Sequence, residues 1–252
     1  MKIENNNIYD NMVELKNVFN KIKYKKIKSI REDYSGMGYT FESLINKKID
    51  SSFLPDFNGI EIKTKYKKSD SDLKLFNYSP KRDDGMAQAR YFINNYGYLT
   101  KKNRIKFMRN IFYNELTELN HGHFFKLILD RENNKLIISI INYNLKIIDN
   151  STYWNLDELK ERLYTKLSYL AFIRGYIFTI DNIRYNRYTD ISFYKLKDFD
   201  TFIELIKQGK IYLNFEAYQL LNTNCTKTIF DKGVAFKIKL NSIDELFDKI
   251  EI

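Results

Sequence analysis

Cysteine, proline and glycine are all scarce in this sequence of 252 residues. The single cysteine, Cys225, excludes an intramolecular disulfide framework and a zinc site built from cysteines. Two prolines and nine glycines exclude collagen-like and proline-rich architectures. The chain must therefore be stabilised by an ordinary hydrophobic core.

Long apolar runs are also lacking. No segment approaches the ~20 consecutive apolar residues that a membrane-spanning helix requires. The first ten residues, MKIENNNIYD, have no apolar core behind their charge and do not resemble a secretory signal. We therefore expect a cytoplasmic protein that does not contact a membrane.

The residues that are present indicate a basic globular protein. The composition is 44% hydrophobic and 29% charged, which suffices for a packed core and excludes global disorder. Lysine and arginine number 42 against 32 acidic residues, so the formal net charge is +10. This excess favours a polyanionic partner, because basic side chains near phosphates release counterions on binding. A solvated lysine-rich surface explains the same charge equally well.

Hydrophobic periodicity predicts a mixed α/β chain with no clean domain boundary. Apolar residues at helical spacing predict helices over residues 12–30, around Phe41, and over 86–94, 156–170, 199–207 and 243–250. Alternating or β-rich segments predict strands over 53–65, 124–130, 136–143, 170–180, 190–196, 211–218 and 233–240. Apart from the helix at 86–94, residues 66–110 are polar and are predicted to be irregular.

The segment PDFNGIEIK has the residue types of a phosphodiesterase site. It contains Asp56, Glu61 and Lys63 in the order Asp, four residues, Glu, one residue, Lys. Cleavage of a phosphodiester requires a cation at the scissile phosphate, and carboxylate oxygens suit Mg²⁺. A lysine can orient the attacking water and stabilise the developing negative charge. On a strand, Glu61 and Lys63 emerge on one face while Ile60 and Ile62 face the core.

Both the motif and a nearby glutamate have a second interpretation. Alternating charge on the solvent-facing side of a half-buried strand explains the motif without catalysis. Glu42 lies between Phe41 and Leu44 of a short predicted helix, where a glutamate usually faces solvent. It could equally be a third carboxylate directed at the site.

Two motifs in the first part of the chain resemble a known family. GMGYTFESL occupies residues 36–44, and PDFNGIEIKT occupies residues 55–64. Together they resemble the type II restriction endonucleases of the MvaI/BcnI group and, more distantly, the mismatch-repair nickase MutH. DNSTYW at 149–154 and GVAFKI at 233–238 extend the resemblance to MvaI along nearly the whole chain.

The resemblance implies the PD-(D/E)xK restriction-endonuclease-like fold. This is an α/β (α+β) fold with a mixed central sheet flanked by helices. It implies a single domain over residues 1–252 in which two lobes form a DNA cleft. The catalytic lobe is expected at approximately 1–110 with parts of 124–180, and the DNA-recognition lobe at approximately 181–252.

The resemblance also implies the chemistry. Asp56 and Glu61 would hold Mg²⁺, with the Ile62 carbonyl as an extra ligand and Mn²⁺ as a substitute metal. Lys63 would position and activate water, and Glu42 would be an accessory carboxylate. The implied enzyme is a type II restriction endonuclease that hydrolyses double-stranded DNA at a short specific sequence and leaves 5′-phosphates. A monomer is expected, with a dimer as the alternative, and a cognate DNA methyltransferase as a genetic rather than physical partner.

Candidate DNA contacts lie outside the catalytic motif. They are Lys65, Lys81, Arg82, Arg90, Tyr218, Asp231, Lys232 and Lys237. Taken singly, each basic residue is also explained as a solvated charge. Where the group has paired histidines before the late strand, this chain reads Phe230-Asp231-Lys232, and Lys237 takes a place where an arginine is found. Because side chains that pair with base edges define the target, the resemblance does not fix the CC-x-GG type of target found in the group for this chain, although the implied chemistry is unaffected.

Two other functions remain open. The first is a MutH-like nickase that cuts one strand and depends on the methylation state of the DNA. The second is a non-catalytic nucleic-acid-binding protein with a decayed nuclease fold. The presence of all four candidate residues argues against the second.

Overall fold

The computed structural model describes residues 5–46, 54–221 and 228–252, so Cys225 and the predicted start of a strand at Phe53 lie outside the described residues. The helices are α1 (Asn5–Ile22), α2 (Gly36–Leu44), α3 (Gln88–Tyr96), α4 (Leu156–Leu167), α5 (Phe199–Lys207) and α6 (Ile243–Leu246). Within these ranges, no helix combines the length and apolar character needed to cross a bilayer. The strands are β1 (Ile27–Lys28), β2 (Glu61–Tyr66), β3 (Leu73–Asn77), β4 (Lys81–Arg82), β5 (Tyr98–Leu99), β6 (Arg104–Ile111), β7 (Thr117–Glu118), β8 (His123–Asp130), β9 (Lys135–Asn142), β10 (Ile147–Asn155), β11 (Tyr169–Ile180), β12 (Ile183–Leu196), β13 (Ile211–Leu220), β14 (Ile229–Ile238) and β15 (Phe247–Ile250).

The described strands form three sheets. The mixed sheet has the order β1-β12-β11-β2, with β15 also paired to β12. In it, β2 runs parallel to β11, with Glu61 opposite Leu170, and the other pairs are antiparallel. The second sheet has the order β4-β10-β9-β8-β7 and the third the order β3-β14-β13-β6-β5, both antiparallel. The predicted mixed α/β class is confirmed.

The chain divides into two compact units. The first comprises residues 1–71, 163–198 and 244–252 and contains the mixed sheet, and the second comprises residues 72–162 and 199–243 and contains the other two sheets. The boundary at 162/163 falls within α4, so this helix contributes residues to both units. The predicted catalytic lobe, approximately 1–110 with parts of 124–180, and the predicted recognition lobe, approximately 181–252, stay predictions.

Helix α1 packs on the mixed sheet through one apolar face. Ile8, Met12, Leu15 and Phe19 recur at helical spacing and are buried in one core with residues of α2 and β2. The predicted helix at 12–30 was wrong at both ends. After α1 ends at Ile22 the backbone reverses through Tyr24, which has a φ of +62°, and the next residues join the sheet as β1.

Two further predicted segments need correction. Residues 66–110 are not irregular, because short apolar stretches form β3 and β6 around the buried side chains of Leu75, Phe76 and Phe107. The helix predicted at 243–250 lasts one turn, and Phe247 and Ile250 then pair with β12 as strand β15. Strand β10, which the sequence did not indicate, is added to the hairpin of β8 and β9. That hairpin and helix α5 lie where they were predicted.

Candidate active site

A tight turn leads into strand β2. Phe57 and Ile60 exchange two backbone hydrogen bonds, with N···O distances of 2.9 and 2.7 Å. The two residues between them, Asn58 and Gly59, have φ values of +42° and +89°. Asn-Gly is favoured in such two-residue turns because both positions require positive φ. The turn folds the residue before Phe57, which is Asp56, back toward the start of β2.

Asp56 is held against the strand by a backbone donor. The Ile62 amide N–H donates a hydrogen bond to Asp56 Oδ2, with an N···O distance of 3.0 Å. Ile62 itself is buried in the core with Ile60, so the strand that carries this donor is anchored by apolar packing on its other face. The motif spacing therefore reflects the turn, which brings Asp56 to the side of the strand from which Glu61 projects.

Four charged side chains of the first unit meet beside this turn, and we call them the carboxylate cluster: Asp56, Glu61, Lys63 and Lys166. The Glu61 side chain is only 2% exposed. Lys63 Nζ donates to Glu61 Oε1. Lys166 Nζ lies 2.8 Å from Glu61 Oε2 and 3.8 Å from Asp56 Oδ1. Each oxygen of the buried Glu61 carboxylate thus faces a different ammonium group.

The pKa values of the two carboxyl groups of the cluster are shifted in opposite directions from their ordinary values. Burial opposes ionisation of Asp56, but the Ile62 amide and the ammonium groups of Lys166 and Lys63 outweigh it, so the pKa of Asp56 is lowered. Burial raises the pKa of Glu61, and the nearby Asp56 charge adds to this effect. Lys63 and Lys166 lower the pKa of Glu61 without fully offsetting its burial. Divergent pKa values within one site are typical of catalytic carboxylates.

The sequence did not indicate Lys166. It lies in the last turn of α4, where a cation interacts favourably with the helix dipole, and this location suggests no role in a site. The structure brings it to Glu61 by pairing β11, which follows α4, with β2. Such a long-range contact leaves no local pattern in the sequence.

Glu42 lies on α2 and is partly buried. A Cβ added to Gly38 would stand 3.7 Å from Glu42 Oε1 and 3.2 Å from Thr64 Oγ1, so this carboxylate lies near the residue that follows Lys63 on β2. Helix α2 is fixed to the mixed sheet by a hydrogen bond of 2.8 Å from Tyr188 Oη to the Met37 carbonyl. The role of Glu42 as an accessory carboxylate stays a prediction.

The donors of the carboxylate cluster fit a hard divalent cation. Among the described residues, no group of three or more His, Cys, Asp or Glu side chains is arranged to hold a metal. Mg²⁺ does not require one, because it usually binds one or two carboxylates together with substrate phosphate and water. Glu61 Oε2 is buried and, within the described part of the chain, it accepts no hydrogen bond of good geometry even though Lys166 is close. Asp56 and Glu61 could therefore hold the cation, with the Ile62 carbonyl as the extra ligand predicted above.

Two of the predicted DNA contacts are engaged within the protein. Lys65 is buried, and its ammonium donates to the Ser71 carbonyl. The Arg82 side chain is 3% exposed, and it donates to Asp84 at 2.7 Å, to Asp149 at 3.2 Å and to Thr152 at 2.7 Å. We call these four residues of the second unit, Arg82, Asp84, Asp149 and Thr152, the arginine cluster. DNA binding by Lys65 and Arg82 stays a prediction.

The other predicted contacts differ in their surroundings. Lys81 pairs with Glu158, and Arg90 is exposed on α3. On the third sheet, the ring of Tyr218 stacks on that of Phe230 with 4.9 Å between centroids, and Lys232 Nζ lies 2.9 Å from Glu216 Oε1. In contrast, Asp231 accepts a hydrogen bond of 2.8 Å from Gln88 of α3, and Lys237 is half-buried opposite Lys74. Their roles in DNA binding also stay predictions.

The comparison with protein families decides which kind of protein this is. The model of the MvaI/BcnI restriction endonuclease family matches residues 16–247. The chain belongs to this family. The resemblance inferred from the two motifs is thereby confirmed, and the protein is a type II site-specific deoxyribonuclease. Members of the family generally use a divalent metal.

Solved structures of one family member support the same conclusion. The complex of restriction endonuclease MvaI with its cognate DNA substrate is 25% identical, covers 99% of this chain and 98% of its own, and has a TM-score of 0.81. MvaI in the absence of DNA is 25% identical, covers 99% of each chain and has a TM-score of 0.62. Among curated proteins, none matches this chain significantly. The predicted restriction-endonuclease-like fold is confirmed.

Proposed function

We propose that this MvaI/BcnI family member is a Mg²⁺-dependent enzyme that hydrolyses double-stranded DNA at a short specific sequence. The observation that carries the proposal is that Asp56 and Glu61 lie close enough to pair with one ammonium group, that of Lys166, while Lys63 donates to Glu61. The similar MvaI structure, solved with its cognate DNA, supports double-stranded DNA as the substrate. The formal net charge of +10 is in keeping with a polyanionic substrate.

Each residue of the motif has a distinct part in this proposal. Asp56 and Glu61 hold the cation, and the Ile62 carbonyl supplies a further oxygen. When bound, the cation stabilises charge on the scissile phosphate and makes hydroxide available near neutral pH. Lys63 orients the attacking water and donates to a phosphate oxygen as negative charge develops. The attacking water loses a proton to solvent, its oxygen bonds to phosphorus and the P–O3′ bond breaks. The leaving O3′ takes a proton from solvent, so the products are a 5′-phosphate and a 3′-hydroxyl. Mn²⁺ is expected to replace Mg²⁺.

Glu42 is proposed as a carboxylate that orients this site from α2. Its position near Thr64, directly after Lys63, supports an indirect role through β2. Loss of Glu42 is therefore expected to slow cleavage less than loss of Asp56.

Plasmid cleavage with and without Mg²⁺ tests the proposal. Wild type is expected to produce discrete linear fragments with 5′-phosphate ends, whereas Asp56→Ala and Lys63→Ala are expected to leave the plasmid intact. Lys21→Ala provides a matched control, because Lys21 is an exposed residue of the same unit on α1. Sequencing the fragment ends gives the recognition site and the stagger of the cut together.

The same assay separates the alternatives. Accumulation of nicked circles from unmodified plasmid would favour a MutH-like nickase over an enzyme that cuts both strands. DNA binding by wild type without any Mg²⁺-dependent cutting would favour a non-catalytic binding protein. Discrete fragments from either active-site variant would contradict the assignment of the site.

A further inference from the structure

Lys166 contacts both carboxylates of the carboxylate cluster and a backbone carbonyl next to it. Its ammonium donates to the Leu54 carbonyl at 2.7 Å, lies 2.8 Å from Glu61 Oε2 and lies 3.8 Å from Asp56 Oδ1. The side chain is 12% exposed, so these contacts are largely shielded from water. All of these residues belong to the first compact unit. Lys166 therefore touches both carboxylates that the proposed function assigns to the metal.

The charges of the cluster balance without a metal. Asp56 and Glu61 supply two carboxylates, and Lys63 and Lys166 supply two ammonium groups. Lys63 lies two positions from Glu61 on the same strand, so its contact is a local consequence of β geometry. Lys166 is brought there only by the fold. A buried carboxylate is costly unless a counter-charge accompanies it, and Lys166 supplies that charge on the Oε2 side of Glu61.

The contact between Lys166 and Glu61 is close but poorly directed. The ammonium is at ion-pair distance from Oε2, yet this oxygen accepts no hydrogen bond of good geometry from any described residue. The hydrogen bond of Lys166 is made instead to the Leu54 carbonyl. Glu61 Oε2 is thus neutralised by the Lys166 charge at ion-pair distance, and a divalent cation that binds this oxygen must take the place of that charge.

We propose that Lys166 is the resident counter-cation of the active site and competes with the divalent metal for Asp56 and Glu61. The proposal rests on the metal-dependent function proposed above. A doubly charged cation placed near the Lys166 ammonium is repelled by it, so metal binding to the DNA-free enzyme is weakened. The phosphate of bound DNA adds the negative charge that offsets this repulsion. Lys166 therefore couples metal binding to DNA binding, and it acts as a positioning residue, not as a group that touches the reacting atoms.

Calorimetric titration of the DNA-free protein with Ca²⁺ or Mg²⁺ tests this competition without any cleavage reaction. Lys166→Gln removes the charge and keeps a donor for the Leu54 carbonyl. We expect it to bind metal about tenfold more tightly than wild type. Lys166→Arg keeps the charge and is expected to bind metal as wild type does. Lys160→Gln, at an exposed position on the same helix, is expected to leave metal affinity unchanged.

A purely structural role for Lys166 gives the opposite result. If Lys166 only held the site together, its loss would loosen the carboxylates and weaken metal binding. Unchanged or weaker binding by folded Lys166→Gln would therefore overturn the proposal. If this variant does not fold, as judged by thermal unfolding, Lys166→Met is titrated instead, because it keeps the apolar stem and also lacks the charge. The same criterion applies to it.

A failure of this proposal is distinguishable from a failure of the proposed function. If wild type binds no divalent metal even with DNA present, and Asp56→Asn behaves identically, the metal site itself is wrong. If wild type binds metal but removal of the Lys166 charge does not tighten binding, only the competition is wrong. A wild-type enzyme whose Ca²⁺ affinity is the same with and without uncleaved DNA would also overturn the coupling.

Discussion

The two compact units each contain a buried cluster of charged side chains, and the two clusters differ in how completely their atoms are satisfied. In the arginine cluster a cation is buried, and Arg82 donates to two carboxylates and a hydroxyl while its guanidinium lies 3.5 Å from the ring centroid of Tyr91. In the carboxylate cluster an anion is buried, and Glu61 has an oxygen that no described residue bonds with good geometry.

The difference is the one expected between a cluster that stabilises the fold and one with the catalytic role proposed above. A fully bonded buried ion stabilises one arrangement of its neighbours, because any change leaves a charge without a partner. An incompletely bonded buried anion can accept a new ligand. The pKa of Arg82 is raised, since hydrogen bonds to Asp84 and Asp149 outweigh the effect of burial. The pKa of Glu61 is raised for the opposite reason, because burial outweighs its ion pairs.

The largest expected effect is the loss of DNA cleavage in the variant Lys63→Met. This change keeps the apolar stem and removes the ammonium group that would stabilise the transition state. The single-turnover rate is expected to fall about 10³-fold, whereas DNA binding measured by gel shift in Ca²⁺ changes little. Arg82→Ala, assayed at a temperature where it is folded and with enough enzyme to saturate the DNA, so that the predicted DNA contact of Arg82 does not limit the rate, is expected to cleave at nearly the wild-type rate. A loss of rate in both variants would mean that the two clusters do not differ in function.

The next effect is on stability, and here the variant of the arginine cluster is expected to lose more than the variant of the carboxylate cluster. Arg82→Ala leaves Asp149 and Thr152 without their buried donor, so we expect the free energy of unfolding to fall by about 3–5 kcal/mol. Lys63→Met is expected to cost only about 1 kcal/mol, because Lys166 remains near Glu61 and that carboxyl can take up a proton. Urea unfolding measures both values, with exposed Arg90→Ala as the control. Equal losses in the free energy of unfolding for Arg82→Ala and Lys63→Met would contradict this difference between the two clusters.

The third effect is a pH dependence of opposite sign for the two carboxyl groups. The lowered pKa of Asp56 means that its stabilising contribution is present above the ordinary value of 3.8 and is lost as the pH falls through the folded value. The raised pKa of Glu61 means that its contribution is present below the ordinary value of 4.5 and is lost as the pH rises through the folded value. Each unit of pKa shift corresponds to about 1.4 kcal/mol.

Urea unfolding of metal-free protein, over a pH range that includes both ordinary values, 3.8 and 4.5, measures how the free energy of unfolding changes with pH. Relative to wild type, Asp56→Asn should lose least stability at the acidic end, whereas Glu61→Gln should gain stability as the pH rises above 4.5. If the stability difference from wild type changed with pH in the same direction for both variants, the opposite pKa shifts of Asp56 and Glu61 would be contradicted.

The smallest expected effect concerns an exposed ion pair that belongs to neither cluster. Lys232 is paired with Glu216 on the third sheet, and its side chain is 55% exposed. Lys232→Ala is therefore expected to change the free energy of unfolding by less than about 1 kcal/mol. If Lys232 contacts a phosphate, as the sequence predicts, the slope of log affinity against log salt concentration should fall by about one. An unchanged slope would remove this residue from the predicted interface.

Local patterns predicted much of the fold. The alternation of Ile60, Glu61, Ile62 and Lys63 indicated a strand with one charged face, and strand β2 covers Glu61–Tyr66. The earlier part of the predicted strand was wrong, because residues 57–60 form the tight turn instead. The prediction failed where a local pattern had two solutions. Ile243, Leu246, Phe247 and Ile250 have helical spacing, yet the last two residues pair with β12, because an available strand there satisfies the backbone and buries Phe247.

The site was predictable where its residues are close in sequence. Asp56, Glu61 and Lys63 are joined by one short turn and one strand, so their spacing carries the geometry. Lys166 was not predictable, because only the parallel pairing of β2 with β11 brings the end of α4 to the site. Glu42 lies between these cases. Its helix could be recognised from the sequence, but the direction in which the Glu42 side chain faces depends on the packing of α2 against the sheet.

The turn at Asn58 and Gly59 has a consequence for the evolution and engineering of this enzyme. It precedes the pairing of β2 with β11, which begins at Glu61. One inserted residue would add up to about 3.5 Å of chain and separate the Asp56 carboxylate from the Ile62 amide that holds it. The turn thus acts as a spacer between Asp56 and Glu61, the residues proposed to hold the metal, and its length is a variable for retuning their separation to a larger ion.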